Sequence, residues 1–130
     1  YFNVYGPGEE NKGKMASVAY QAWIAKKFML FPGDIKRDFI YIDDVVNANI
    51  HASTLERGVF DVGTGKADTF QNLVDGVGIP YEYHSKNKIP SWYQHFTQAD
   101  KNKFMPGWEP LYNVHSGTEK YRDYLRQEAF

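Results

Sequence analysis

Residues 37–44 read Arg37-Asp38-Phe39-Ile40-Tyr41-Ile42-Asp43-Asp44, and their order decides the fold class. The β-branched and aromatic residues from Arg37 to Ile42 predict a strand. The two aspartates then offer an N-cap and a first-turn carboxylate for a helix from about Val45 to Leu55. Gly58 is a natural stop for that helix. A strand running directly into a helix is the repeating unit of an α/β fold.

The flanking segments repeat the alternation. Upstream, Tyr1 to Val4 is a run of strand formers closed by Tyr5-Gly6-Pro7-Gly8. A polar loop, Glu9 to Lys14, leads to a helix expected over Met15 to Lys27, with apolar residues at Met15, Val18, Ala19, Ala22 and Trp23. Phe28 to Phe31 reads as a strand, turned by Pro32-Gly33-Asp34. Downstream, Val59 to Val62 is expected to be a strand entering Gly63-Thr64-Gly65. Thr69 can cap a helix from Phe70 to Asp75, and Tyr81 to Tyr83 is a short strand. Residues 84–97 are loop, and Thr97 to Lys103 is expected to be a short helix. Asn113 or Ser116 caps a last helix to about Gln127, with Tyr121, Tyr124 and Leu125 on one face.

Composition narrows the function classes. The chain has 130 residues, one domain's worth, with a formal net charge of −1. No basic excess exists to neutralise nucleic-acid phosphates, so no nucleic-acid partner is expected. The absence of cysteine removes disulfides, thiolate metal sites and cysteine nucleophiles together. The four histidines are scattered without metal-ligand spacing, so no metal site is expected. No apolar run approaches the roughly 20 residues that cross a bilayer, and no signal peptide is visible. The expectation is a globular cytoplasmic chain. Aromatic residues reach 17%, which is enough to furnish flat binding faces as well as a core. The first residue is Tyr1 rather than Met, which suggests a piece of something longer.

Four segments can carry chemistry. Asn3 to Lys14 places a glycine loop with two lysines after a strand, where α/β folds bind ligands, although pattern alone favours a surface turn with solvated lysines. Arg37 at a strand entrance can hold a phosphate through its planar fork, or merely pair with a neighbouring aspartate. Gly63-Thr64-Gly65 can cradle a phosphate, but Asp68 stands where the dinucleotide fingerprint needs its third glycine. A strand-to-helix turn explains it equally well. Trp92 to Asp100 mixes aromatic and amide side chains, as sugar and nucleotide sites do, and as packed loops also do.

Taken in order, YFNVYGP (1–7), KGKMASV (12–18), RDFIYIDDV (37–45), F-x-VGTG (60–65) and FTQAD (96–100) resemble the C-terminal portion of extended short-chain dehydrogenases acting on nucleotide sugars. The pattern is most similar to the ADP-heptose 6-epimerase branch. The YGP and RDFIYIDDV elements are general to nucleotide-sugar epimerases, whereas residues 12–17 and 96–100 are specific to the branch. The resemblance implies the end of a Rossmann-type parallel sheet plus a small α/β substrate-binding domain, together as a single fragment over 1–130. On that resemblance the N-terminal Rossmann half is expected to be missing from this stretch.

The resemblance also implies the chemistry. It points to NADP-dependent inversion at C6 of an ADP-linked heptose, for lipopolysaccharide core synthesis, by a homo-oligomeric enzyme. It makes Lys12 the second acid/base, also touching the cofactor, with the Val4 backbone beside it. Asn3, Lys14, Gln21, Phe31, Pro32, Gly33, Asp34, Arg37 and Tyr93 become substrate contacts. Lys14 stands where the family has a smaller Ser, and Gln21 where it has His. An ordinary lysine, with a pKa of about 10.4, is a poor base near neutrality, and burial beside a positively charged nicotinamide lowers it. The family's first acid/base is a Tyr-x-x-x-Lys pair, and no tyrosine of this sequence has a lysine four residues later. The fragment alone is therefore expected to be inactive. Two alternatives stay open: a non-catalytic nucleotide-sugar binding module, and an epimerase or dehydratase for another nucleotide sugar.

Overall fold

In a computed structural model that describes residues 1–55 and 57–128, the chain folds as α/β around one strand. Strand β4 (Phe39–Tyr41) pairs in parallel with β1 (Asn3–Tyr5), matching Asn3 to Phe39, Val4 to Ile40 and Tyr5 to Tyr41. All three residues of β4 are buried, as expected for a parallel strand covered on both faces. Its side chains alternate. Phe39 and Tyr41 enter one core with Tyr5, Leu30, Leu73, Val74, Tyr121 and Leu125. Ile40 enters the other with Val45, Ala48, Val62, Met105 and Trp108.

Helices α1 (Val18–Ala25), α3 (Phe70–Gly76) and α4 (Val114–Glu128) cover the first face, and α2 (Ile42–Ala52) covers the second. Strand β2 (Phe28–Leu30) pairs in parallel with β6 (Tyr81–Tyr83), and the short β3 (Lys36–Arg37) runs antiparallel to β5 (Asp68–Thr69). The α3–α4 approach is close: a side chain at Gly76 would collide with Thr118.

The helix ends differ from the sequence expectation where side chains found other partners. Ser17 accepts from the Tyr20 N–H, so α1 starts at Val18 rather than Met15, and it stops at Ala25 because Lys26 turns left-handed with φ 67°. Helix α2 begins at Ile42, with Tyr41 as a cap that offers no side-chain bond. Asp43 and Asp44 do sit in its first turn, where the helix dipole favours them. Asp44 does not cap the helix. Its carboxylate accepts from the backbone N–H groups of Leu111 (2.8 Å) and Tyr112 (3.0 Å), and burial pushes its carboxyl up from the usual range. Thr69 caps α3 as expected. Asn113 and Ser116 cap α4 together, each side chain accepting from the other's N–H.

Two expected elements do not form. Residues 59–62 make no ladder. Phe2 N–H bonds Val62 C=O and Asp61 N–H bonds Lys103 C=O, so the segment is tied at one end while Val59 stands in solvent. Residues 97–103 yield only a 3-10 turn at Lys101–Lys103, because the Ala99 N–H is drawn to Asp38 instead of a helical carbonyl.

Asp38 explains the loops around β4. It is fully buried, and no cation lies within ion-pair distance of it among the described residues. Its Oδ1 accepts from Thr64 N–H (2.8 Å) and Thr64 Oγ1 (2.7 Å), and its Oδ2 from Gly65 N–H (2.9 Å) and Ala99 N–H (3.0 Å). The glycine turn that could have cradled an external phosphate is thus occupied by the chain's own carboxylate. Replacing Asp38 with Asn turns one acceptor into a donor facing buried N–H groups. Asp38→Asn is expected to lose about 3 kcal/mol of stability, read by urea denaturation.

The first core is rich in phenols. Tyr5, Tyr41 and Tyr121 lie with ring centroids 5.5–6.5 Å apart. Burial, above all, moves the ionisation of all three to higher pH; Tyr41 is pushed up to about 12. A phenol ionises near 10 in the unfolded chain. The stability these residues contribute is therefore complete below about pH 10 and falls as pH rises beyond it. Alkaline titration should show part of the tyrosinate absorbance appearing together with loss of the helical circular dichroism. If all ten tyrosines titrate near pH 10 with the helices intact, the packing described here is wrong.

Candidate functional site

The residues singled out in the sequence fall into two clusters, joined by the first turn of α1. The first lies at the carboxyl end of β1. Val4, Gly6, Pro7, Gly8, Lys12 and Ile42 help line a cavity of about 130 Å³. Asn3 is exposed at the start of the strand. Gly8 has φ +100° and nothing within 4 Å of where a side chain would begin, so a ligand can approach its backbone. Lys12 is exposed and opens a 3-10 turn, its N–H bonded to Glu9 C=O (3.0 Å). Lys14 is exposed too, while the Gln21 amide is turned inward, donating to Ala16 C=O (2.7 Å) and Lys14 C=O (3.3 Å). Gln21 thus holds the turn from below.

The second cluster is an aromatic slot of about 150 Å³. Phe31 and Tyr93 meet edge to face at 5.0 Å, and His84 lies 5.5 Å from Phe31. Strand β2 with Val18, Ile35, Phe70 and Gln71 completes the walls. Pro32-Gly33-Asp34 forms the adjoining turn, with Gly33 at φ +99° and its carbonyl bonded by the Gln71 amide (3.3 Å). Arg37 is buried beside it. Its guanidinium lies over the rings of Tyr93 (5.2 Å) and Phe70 (5.5 Å), and Nη1 donates to Lys36 C=O (3.0 Å). Among the described residues no carboxylate is within 4.0 Å of it, so the loop-fixing Arg–Asp pair does not form. The remaining donors of a planar fork held between two rings suit an oxyanion.

Tyr93 reaches this slot because the 90–97 loop is pinned to β3. Lys36 N–H bonds His95 C=O and Thr97 N–H bonds Lys36 C=O. The FTQAD segment is structural. Gln98 accepts from Ala67 N–H, Ala99 feeds Asp38, and Asp100 accepts from Asn102 N–H. Phe70, Gln71 and His84 were not visible as site residues in the sequence. Phe70 and Gln71 read simply as the start of a helix, and only the pairing of β2 with β6 brings His84 to Phe31.

Glu9 was also missed. It reads as loop polarity, yet it is buried. Its carboxylate accepts from Gly6 N–H (3.0 Å), Ser17 N–H, Ser17 Oγ (2.9 Å) and the Tyr121 hydroxyl (2.8 Å). Ser17 caps α1 and the next residue, Val18, lines the slot, so one turn of helix carries both clusters. The residues present fit one wall of a dinucleotide site, at Val4, the open Gly8 backbone and Lys12. Among the described residues no metal-holding group of His, Asp and Glu occurs, and no helix is long and apolar enough to cross a membrane.

Known proteins resemble the chain in sequence and in fold. Residues 1–63 match the model of the NAD dependent epimerase/dehydratase family. The ADP-L-glycero-D-manno-heptose-6-epimerase of Brachyspira hyodysenteriae is 36% identical over 99% of this chain and 46% of its own length. The Helicobacter pylori ADP-L-glycero-D-manno-heptose-6-epimerase crystal structure superposes with a TM-score of 0.78 at 34% identity, over 97% of this chain and 43% of that one. The UDP-glucose 4-epimerase of Thermotoga maritima, with UDP-glucose, matches at TM-score 0.70 and 28% identity, over 100% and 45%. The chain thus spans about half the length of the relatives it matches. In sequence and in α/β fold alike, it is a homologue of the nucleotide-sugar epimerases, with ADP-L-glycero-D-manno-heptose-6-epimerase among its relatives.

Proposed function

We propose that this chain is the substrate-holding part of an NADP-dependent ADP-heptose 6-epimerase, with the end of a Rossmann domain interleaved with the substrate domain over 1–130. The observation that carries the reading is the aromatic slot with the buried Arg37 guanidinium at its side, linked through Ser17 and Val18 to the loop that presents Lys12. A nucleotide diphosphate matches the slot in kind. The base lies against Phe31 and Tyr93, the Pro32-Gly33-Asp34 turn borders it, and the diphosphate meets Arg37. The sugar then extends towards Asn3, Lys14 and Lys12, with the Gln21 amide holding the turn beneath them.

Bound NADP would supply the hydride acceptor and donor at the carbon being inverted, against Val4 and Lys12. At the C6 oxygen the chain's own residues act. A proton leaves as the hydroxyl becomes a ketone, and a proton returns to that oxygen once the sugar has turned its other face. Each face needs its own proton-handling group, and Lys12 serves one of them. Lys12 is exposed in this chain, so the burial that would make it a useful base must come from the cofactor and the sugar.

Three outcomes follow for the complete enzyme. Lys12→Ala should abolish C6 inversion, followed by proton NMR of the sugar, while NADP stays bound; unchanged inversion removes Lys12 from the mechanism. Arg37→Lys should raise the KM for the ADP-sugar about tenfold with a small change in kcat, because an ammonium cannot form the planar two-point contact. Calorimetry with ADP-, UDP- and GDP-linked sugars should favour ADP. Equal binding of all three would point to another nucleotide sugar. Micromolar binding by the isolated 130-residue chain would instead favour a free-standing module.

A further inference from the structure

The carboxylate of Glu9 and the last helix, α4, have no part in the reaction as described, yet they meet directly under the Lys12 loop. Glu9 is 6% exposed. It gathers four donors from three parts of the chain: Gly6 at the end of β1, Ser17 at the start of α1, and Tyr121 in the middle of α4. Among the described residues no cation balances it. Its own backbone carbonyl receives the Lys12 N–H, and Lys12 C=O in turn receives the Met15 N–H. The next residue repeats the design more loosely: Glu10 accepts from Gly8 N–H (3.3 Å) and the Tyr124 hydroxyl (2.8 Å). Helix α4 is itself set against β1, where a side chain at Gly117 would strike the Tyr5 hydroxyl.

We propose that Glu9 is a positioning residue for Lys12, with Tyr121 of α4 as its brace, so that the distant last helix sets where the lysine stands relative to Val4 and Gly6. The inference rests on the Lys12 role proposed above. The physical reason is short. A buried carboxylate satisfied by four donors has one orientation, and Lys12 is hydrogen-bonded to the same residue's backbone. A loop of glycines and exposed polar residues would otherwise leave the lysine free to wander, and a displacement of about 1 Å can cost on the order of a hundredfold in rate. Glu9→Gln keeps the shape but sets an N–H donor among N–H and O–H donors, so the loop must shift. Tyr121→Phe removes one donor and keeps the ring in the core.

The test makes Glu9→Gln and Tyr121→Phe in the complete enzyme in two backgrounds, the native one read by kcat and by single-turnover hydride transfer, and Lys12→Ala read by single-turnover hydride transfer. With Lys12 present, Glu9→Gln should lower kcat about tenfold or more and Tyr121→Phe severalfold, with ADP-sugar affinity changed less than about twofold. In the Lys12→Ala background, read by single-turnover hydride transfer, neither should lower the rate further, because residues that act as a unit are not additive. Equal losses in both backgrounds, or a matching fall in ADP-sugar affinity, would show a general structural role and overturn the proposal. No loss with Lys12 present overturns it as well. If Glu9→Gln fails to fold, Tyr121→Phe decides alone. Full activity of Lys12→Ala by itself would fail the Lys12 reading first, and the two failures are therefore told apart.

Discussion

A buried carboxylate, with no cation in ion-pair reach among the described residues, organises this molecule. Asp38 stands between β3 and β4 and takes four donors from the Gly63-Thr64-Gly65 turn and Ala99. Burying a charge is costly unless it is hydrogen-bonded, and here three backbone N–H groups and the Thr64 hydroxyl meet it. The consequence is mechanical. The chain after α2 must return to β4, and the loop carrying Tyr93 must do the same. Arg37, one residue before Asp38, is then enclosed by Tyr93 from one returning segment and Phe70 from the other.

The same device recurs. Asp44 draws in Leu111 and Tyr112 ahead of α4, and Glu9 draws in Ser17 and Tyr121. Three acidic side chains, one just before β4, one in the first turn of α2 and one in the loop after β1, thus tie distant segments of the chain together. Such ties are directional, whereas apolar contacts are not. A chain with few and short strands therefore gains from them a definition that its two-stranded sheets do not supply.

The strand-to-helix reading of residues 37–52 was legible because burial on both faces of β4 demands the apolar run that the sequence displays. The caps at Thr69, Asn113 and Ser116 were legible because they act within four residues. Val59 to Val62 was misread because strand formers say nothing about whether a partner edge is available. The glycine turn at 63–65 looked open to phosphate because its occupant, Asp38, is distant in sequence. Lys12 and Arg37 were singled out, the one through its order among motifs and the other by its place at a strand entrance, and they lie at the cavity beyond β1 and beside the aromatic slot. Glu9 and His84 were not, since only tertiary packing separates a buried carboxylate or a lined-up imidazole from ordinary loop polarity.

The parallel register of β1 and β4 then decides how the two clusters relate. Asn3 lies opposite Phe39 and Tyr5 opposite Tyr41. Arg37 therefore enters at the amino end of the pair and the Lys12 loop leaves at its carboxyl end. One small ligand group could not meet both. What spans them is the first turn of α1, with Ser17 bound to Glu9 on one side and Val18 in the aromatic slot on the other. On the function proposed above, an elongated ligand with a flat end, an anionic middle and a polar far end, such as a nucleotide sugar, would reach from one cluster to the other. The separation of the clusters, which first reads as a failure to form one site, would on that proposal favour a long substrate over a short one.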